Sequence, residues 1–479
     1  MILKASDELL LGIDIGTGSC KMVLFDLSGT PVASASEKYP LYSYQNGYVE
    51  QNPKDYWEAV VSCVHKILAE HPEVKQHIAA IGLTGQVPTD IFLDRHGEPL
   101  MNGISWQDTR AVIQAKELQS RYTAEEMQKA VGSNVPISAS WSASRLLWVT
   151  QNLPDVARKC TTILMPKDYI GYKMTGEYMS DGWSCKSTVN ILTNTPCAEL
   201  LEYLGFRPSH IPEISSWSAL CGKLSEPAAN ELGLPAGIPV ANGCSDAPAT
   251  MLGCGAFSSA DIGFNSCGTS EIVGVSTVNQ NSCRELMTIP SSVTGSLSIV
   301  YGPTQSGSSS LLWYTDQLLG LDSPNTAFTY ASTVPCGADG LLFIPYLAGE
   351  RAPLWEANVR GSFVNISNTH SSHHFARAIL EGVGFSVRHC LQTAQGVTGT
   401  YAKSLRLTGG GSRTAIWRQI KADICKLPVE IMKCDEACAL GAAMTAAVAV
   451  GFFPTLKEAS CRMVEVTDRI MPNAEASET

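Results

Sequence analysis

The residues best placed for chemistry stand where apolar runs end in small, hydroxyl-bearing turns. Gly12-Ile13-Asp14-Ile15-Gly16-Thr17-Gly18-Ser19-Cys20-Lys21 carries one acid, two hydroxyls and an amine. Backbone N–H groups of such a turn, with Thr17, Gly18, Ser19 and Lys21, can grip a phosphate, and Asp14 sits where a phosphate-bound cation would lie. An ordinary hairpin using glycine for its turn is the competing reading. Asp246, in Asn242-Gly243-Cys244-Ser245-Asp246, ends an apolar strand and opens a helix, well placed to accept a proton from a bound hydroxyl. Plain N-capping is the alternative there. Cys267-Gly268-Thr269-Ser270 repeats the chemistry of the first turn, and two such turns would clamp a polyphosphate. Three successive glycines in Thr408-Gly409-Gly410-Gly411-Ser412-Arg413 are costly for a mere connection and let a flat ligand lie against the backbone.

Two further segments mix an aromatic ring with amide, acid and guanidinium groups. They are Thr84-Gly85-Gln86-Val87-Pro88-Thr89 and Ile104-Ser105-Trp106-Gln107-Asp108-Thr109-Arg110. Ring stacking with multidentate hydrogen bonding suits a polyhydroxylated ligand, whereas core packing is the plainer role for Trp106 alone.

The elements that must position these groups follow from patterning. Leu10–Ile15 and Met22–Asp26 predict a hairpin, not the strand-to-helix step of a dinucleotide site. Pro31–Ala35 predicts a third strand. Pro53–Glu70 predicts a helix with Pro in its first turn and Trp57, Val60, Val61, Val64 and Leu68 on one face. Ile78–Leu83 is a short apolar strand. A comparable series begins near residue 240: helix Ala247–Leu252, strands Ala260–Asn265 and Glu271–Thr277, strand Ser404–Thr408, and a helix over Thr414–Lys426. Two α/β halves with glycine turns at strand ends imply a duplicated architecture with a cleft between them, divided as 1–243 and 244–479.

Composition sets the class. With 479 residues, 44% hydrophobic and 16% charged, the chain is globular and large enough for two domains. A formal net charge of −11 without basic clusters argues against a nucleic-acid surface. No signal peptide is evident, and the richest apolar run, Ala437–Val450, is too short to span a bilayer. The 16 cysteines lack zinc-site spacing, Cys434 and Cys438 coming nearest, so reduced thiols in a cytoplasmic protein are expected. The sequon Asn365-Ile366-Ser367 is then accidental.

Together these segments resemble the FGGY family of carbohydrate kinases, and its xylulokinase-like members most, in order and over essentially the whole chain. The resemblance implies two actin-like (ribonuclease H-like) ATPase domains around an interdomain cleft. Gly12–Thr17 is similar to the family's first phosphate motif, Ser266–Ser270 to its second, and Thr408–Gly411 to its adenosine motif. Gly349-Glu350-Arg351-Ala352-Pro353 through Arg360–Phe363 and Arg377–Gly382 resemble its C-terminal signature. Ser142–Asn152 resembles its N-terminal signature, with Arg145 where Lys is usual. Met165–Tyr169 and Met174–Glu177 also look xylulokinase-like. The departure is Gln86-Val87-Pro88: xylulokinase-like members carry Met-His after this Gln and glycerol kinases Arg-Glu, whereas Val-Pro offers no side-chain donor or acceptor. Thr89 or Asp90 could supply the missing contact.

The resemblance implies ATP-dependent phosphorylation of a terminal hydroxyl on a small sugar, a ketose such as xylulose, with another ketose, a polyol or a sugar acid as alternatives. Asp246 would be the catalytic base. Gln86, Val87, Pro88, Trp106, Asp108 and Asp246 would meet the sugar, and Asp14 and Asp246 would serve Mg2+. Thr17, Gly18, Ser19, Lys21, Gly268, Thr269, Gly307, Gly410, Gly411 and Arg413 would hold ATP. Partners would be the sugar or polyol and ATP, with no nucleic acid or membrane and a homodimer left open. The rival from another class is an ATP-binding protein of the same fold without sugar chemistry.

Overall fold

The computed structural model describes residues 8–134, 137–279, 281–321 and 323–478. The chain packs as two compact units. One is Met1–Gly253 with Ser292–Gly295 and Ala437–Met463; the other is Cys254–Ser291 with Ser296–Glu436 and Val464–Thr479. The division therefore falls ten residues beyond the expected 243/244 boundary, for a physical reason. Cys244–Ser245 extends the sheet of the first unit, with Cys244 opposite Thr84 and Ser245 opposite Gly85. Helix Asp246–Gly253 then packs on helix Ala437–Ala449 so closely that a Cβ on Gly441 would lie 1.9 Å from the Ala249 carbonyl oxygen.

In the first unit, strand Leu9–Ile15 pairs antiparallel with Ser19–Asp26 and parallel with Ile78–Gly85. Pro31–Lys38 continues one edge; Pro239–Ala241 and Leu220–Lys223 continue the other. Apart from Asp14, the central strand Leu9–Ile15 is apolar because both of its faces are covered. Leu9, Leu11, Ile13 and Ile15 enter the core that Tyr56, Trp57, Val60, Val64 and Ile67 of helix Pro53–Glu70 also fill. That helix has the bounds its Pro and apolar spacing predict, and the Asn52 side chain caps it by accepting the Lys54 N–H. Gly12 points to the opposite face, where a Cβ would lie 2.0 Å from the Ala439 carbonyl oxygen; at Gly82 the corresponding distance to Ala442 is 1.9 Å. Helix Ala437–Ala449 thus rests on the strand backbones, and its Ala and Gly content serves this packing. No described helix is long and apolar enough to cross a membrane. A second core of this unit, with Phe92, Trp141, Leu146, Leu147 and Phe206, surrounds helix Ser142–Asn152.

The second unit repeats the strand pattern. Ile262–Cys267 pairs antiparallel with Glu271–Thr277 and parallel with Ser404–Thr408. Strand Ser404–Thr408 has the expected bounds, but a 3-10 turn at Gly410–Arg413 precedes helix Ala415–Cys425. The 27-residue helix Ser372–Thr398 covers this sheet.

Candidate functional site

Asp246 begins helix Asp246–Gly253, and its largely buried carboxylate accepts the Ala247 N–H through Oδ1 at 2.7 Å. Its carboxyl is pushed up to about 7, first by burial and then by the charge of Asp14; the Ala247 N–H and Lys186 oppose the shift. Asp14 stands near the end of the central strand, opposite Lys21 in the hairpin and Thr84 in the parallel neighbour. Two carboxylates held close enough to repel are a fitting donor set for a hard divalent cation that keeps water and phosphate oxygens as its other ligands. Among the described residues no group of three His, Cys, Asp or Glu forms a metal cage, and Cys434 and Cys438 belong to none. Cys438 instead donates to the Asp246 carbonyl at 3.6 Å.

The first hairpin turn is held from several sides. Tyr39 donates its hydroxyl to the Gly16 carbonyl, Gln51 donates to the Thr17 carbonyl at 2.7 Å, and Trp106 Nε1 donates to Thr17 Oγ1 at 3.0 Å. Trp106 is thereby placed beside the first hairpin turn. Gln86 donates to Gln51 at 2.6 Å and its Oε1 is buried without a hydrogen-bond partner among the described residues. Asp108 does not present its acid to a ligand. Its carboxylate is fully buried, takes a bidentate Arg110 contact at 2.9 Å, and accepts the Val49 N–H at 2.6 Å.

Arg145 is wholly buried and bonds to Asp90 Oδ2 at 2.6 Å, the Ser105 carbonyl at 2.8 Å and the Pro88 carbonyl at 3.1 Å. A planar fork binds three acceptors from two loops, which suits Arg at this place. Asp90 is consequently unavailable to a sugar, since Ser142 Oγ takes its other oxygen at 2.6 Å. Thr89 Oγ1 is buried and unpartnered among the described residues. The Val87–Pro88 peptide is cis.

In the second unit, the turn after Ile262–Cys267 closes with the Gly268 N–H on the Ser270 carbonyl at 3.1 Å, leaving Thr269 exposed. Gly307 lies against this turn: a Cβ there would come within 2.7 Å of the Thr269 carbonyl oxygen. Lys421 is buried beneath it, donating to Asn265 Oδ1 at 2.7 Å and Glu271 Oε2 at 2.8 Å. Gly409 has φ +84°, a conformation that favours glycine, and a Cβ on Gly411 would strike the Trp417 ring at 2.7 Å. Gly410 differs, because a Cβ there would meet nothing within 4 Å. Arg413 pairs with Asp435 at 3.3 Å and stays largely exposed.

Sequence reasoning missed a buried polar cluster behind Asp246. Lys167 Nζ lies 2.5 Å from Asp168 Oδ1 and 3.2 Å from Asp181 Oδ2, and donates to the Asn242 carbonyl at 3.3 Å. Asn242 Nδ2 donates to the Ser180 carbonyl at 2.9 Å, so the cluster fixes the strand end leading to Asp246. Lys186 also lies here. Of these groups, only those in Met165–Tyr169 and Asn242–Asp246 lay in segments that the sequence marked.

The sequence model of the FGGY family of carbohydrate kinases, N-terminal domain, matches residues 9–253, and that of the C-terminal domain matches residues 263–450. A xylulose kinase of Staphylococcus epidermidis is 29% identical over 477 residues, covering 98% of this chain and 93% of its own length. A gluconokinase of Bacillus subtilis is 30% identical over 454 residues, covering 92% of this chain and 88% of its own length. The crystal structure of a gluconate kinase from Lactobacillus acidophilus superposes with a TM-score of 0.88 at 27% identity, over 99% of this chain and 95% of that one. A ligand-bound xylulose kinase from the same organism also gives 0.88 at 27% identity, over 98% and 95%. With two-domain α/β architecture, actin-like ATPase fold and both family domains in order, the chain belongs to the FGGY family of carbohydrate kinases, sugar kinases that use ATP as phosphate donor.

Proposed function

We propose that this kinase phosphorylates the terminal hydroxyl of a small open-chain sugar, with Asp246 as the catalytic base. The observation that carries the reading is the Asp246 carboxyl, raised to about 7 beside Asp14 at the start of its helix. A base with this value takes a proton near neutrality and can release it again. As the hydroxyl oxygen bonds to the γ-phosphorus of ATP, its proton passes to Asp246, the bond to the bridging oxygen breaks, and ADP leaves. Asp14 and Asp246 would hold Mg2+, which neutralises charge on the phosphates when bound. Thr17, Gly18, Ser19 and Lys21 would hold phosphate from the first unit. Gly268 and Thr269 would do so from the second, with Gly307 buttressing their turn and Gly410, Gly411 and Arg413 receiving adenosine. Gln86 and Trp106 would position the acceptor, and Arg145 would fix the loops that carry them.

The relatives include xylulose kinases, gluconokinases and a glycerol kinase. A ketose such as xylulose and a sugar acid are therefore both acceptors to test, with polyols beside them. Acceptor-dependent ADP release from the full chain, measured over ketoses, polyols and aldonates, tests the reading. Asp246→Asn is expected to lower it by about 10³-fold. Survival within a few-fold would remove Asp246 as base. ATP binding without stimulation by any acceptor would favour the ATP-binding protein of the same fold.

A further inference from the structure

The segment Gly349-Glu350-Arg351-Ala352-Pro353 takes no part in the reaction described above, yet its arginine reaches the turn between Ile262–Cys267 and Glu271–Thr277. Arg351 Nη2 donates to Ser270 Oγ at 3.1 Å, across 81 residues of chain. Nη2 and Nε both donate to the Thr304 carbonyl, at 2.5 and 3.2 Å. Thr304 is itself tied to the strand after the turn, its Oγ1 accepting the Glu271 N–H at 3.0 Å. The Ala352 N–H donates to the Pro303 carbonyl at 3.1 Å, which holds the backbone beside Arg351 to the same strand end. The guanidinium is thereby fixed against the turn, with Nη1 free of a hydrogen-bond partner among the described residues. Its charge is not consumed by a paired acid. Among the described residues no carboxylate lies within ion-pair distance of it, and Glu350 acts on it only at longer range. The Glu350 oxygens are spent on the Gln305 N–H, the Arg351 N–H at 2.8 Å and Ser306 Oγ at 3.2 Å. By contrast, Lys421 beneath the turn is paired with Glu271 at 2.8 Å, and Arg413 beyond the glycine run with Asp435 at 3.3 Å.

The turn is open to an anion on its donor side. The Gly268 and Thr269 carbonyls accept the Ser308 and Ser309 N–H groups at 3.0 and 3.1 Å, and the Gly268 N–H closes on the Ser270 carbonyl. That leaves the successive N–H groups of Thr269 and Ser270 without an acceptor among the described residues. Adjacent free N–H groups beside a guanidinium are the donor set of a phosphate site. Cys267-Gly268-Thr269-Ser270 offers hydroxyls and amides but no cation, and Arg351 brings the charge from elsewhere in the chain. We propose that Arg351 is a phosphate-binding residue of the ATP site: anchored on Ser270 and Thr304, its guanidinium takes a phosphate oxygen together with the Thr269 and Ser270 N–H groups. The proposal rests on the reading of Gly268 and Thr269 as phosphate ligands given above. A planar fork can stay on protein oxygens through one edge while Nη1 binds phosphate, which suits arginine here better than lysine. Fixed in place before ATP arrives, the charge offsets that of the phosphates without reorganisation.

The test is calorimetric titration of the full-length protein with ADP and Mg2+, for the wild type, Arg351→Gln, Arg351→Lys and Thr269→Glu, with Tm measured for each. Gln keeps a donor for the Thr304 carbonyl and removes the charge; Lys keeps the charge and loses the fork. Glu at the exposed Thr269 sets an acid against any phosphate on the turn. Arg351→Gln is expected to weaken ADP binding by about thirtyfold, and Thr269→Glu by about a hundredfold. The Arg351→Gln deficit should narrow as KCl is raised, because a charge contact is screened. Arg351→Lys should recover part of the loss. Unchanged ADP affinity in Arg351→Gln with Thr269→Glu impaired overturns the proposal and leaves the turn as a phosphate ligand. Unchanged affinity in both removes the phosphate reading of the turn, and the proposal with it. A loss that Lys does not relieve and KCl does not narrow, or loss of the fold in both arginine variants, makes Arg351 a clamp on Ser270 and Thr304 and also overturns the proposal.

Discussion

At the scale of single residues, the site turns on how burial changes the proton affinity of Asp246. Asp246 has an ordinary carboxylate value of 3.8 when exposed and about 7 in the folded chain. Between those values the native state binds more protons than the unfolded state, so the stability Asp246 contributes is present at low pH and fades as pH rises through about 7. Asp246→Asn removes the charge that causes this loss. In chelator-containing buffer, the variant should match the wild type near about pH 4 and exceed it by about 1–3 kcal/mol near about pH 8. Urea unfolding at the two pH values checks this; a variant less stable than wild type at the higher pH would contradict the raised value. The same residue shows how far local sequence reaches. Its place at a strand end opening a helix was legible from Asn242–Asp246 alone. Its raised proton affinity was not, because burial in the folded chain and then the charge of Asp14, distant in sequence, produce it.

At the scale of elements, the two hairpins and the Pro53–Glu70 helix were readable because each is marked locally, by an apolar run into glycines or by Pro before an apolar stripe. Asp108 read as a ligand contact because an acid near Trp106 looks available, and Asp90 because Val87-Pro88 lacks a side-chain contact of its own. Arg110 and Arg145, placed by tertiary packing, instead neutralise them within the fold. The triple-glycine element was legible as unusual, but its three members have separate tasks. Gly409 supplies the left-handed turn, Gly411 makes room for Trp417, and Gly410 alone faces open space. A side chain at Gly410 therefore costs the fold little while filling the place assigned to adenosine. Gly410→Val is predicted to raise the KM for ATP by roughly tenfold with Tm nearly unchanged and the acceptor KM preserved. Such a contact is a steric one of about 1–2 kcal/mol. An unaltered KM for ATP would move the nucleotide elsewhere.

At the scale of the whole molecule, the least legible fact is that the first unit is completed from the far end of the chain. Ala437–Val450 reads as a small apolar segment of unspecified partner. Its role becomes clear only where Gly12 and Gly82 admit the Ala439 and Ala442 carbonyls against the strands. Without this helix one face of the first sheet loses its cover, exposing Leu10 and the strand backbone around it, so a fragment of residues 1–253 keeps its other cores but presents a bare apolar sheet face. The return is also close in space: a Cβ on Gly253 would lie 1.8 Å from the Ala437 carbonyl oxygen. A short glycine linker can therefore join Gly253 to Ala437 and bypass the second unit. The prediction is that 1–253 alone binds a hydrophobic dye and aggregates, whereas 1–253 linked to 437–463 is monomeric and unfolds cooperatively in urea. Cooperative unfolding of 1–253 by itself would show that the sheet does not depend on the returning helix.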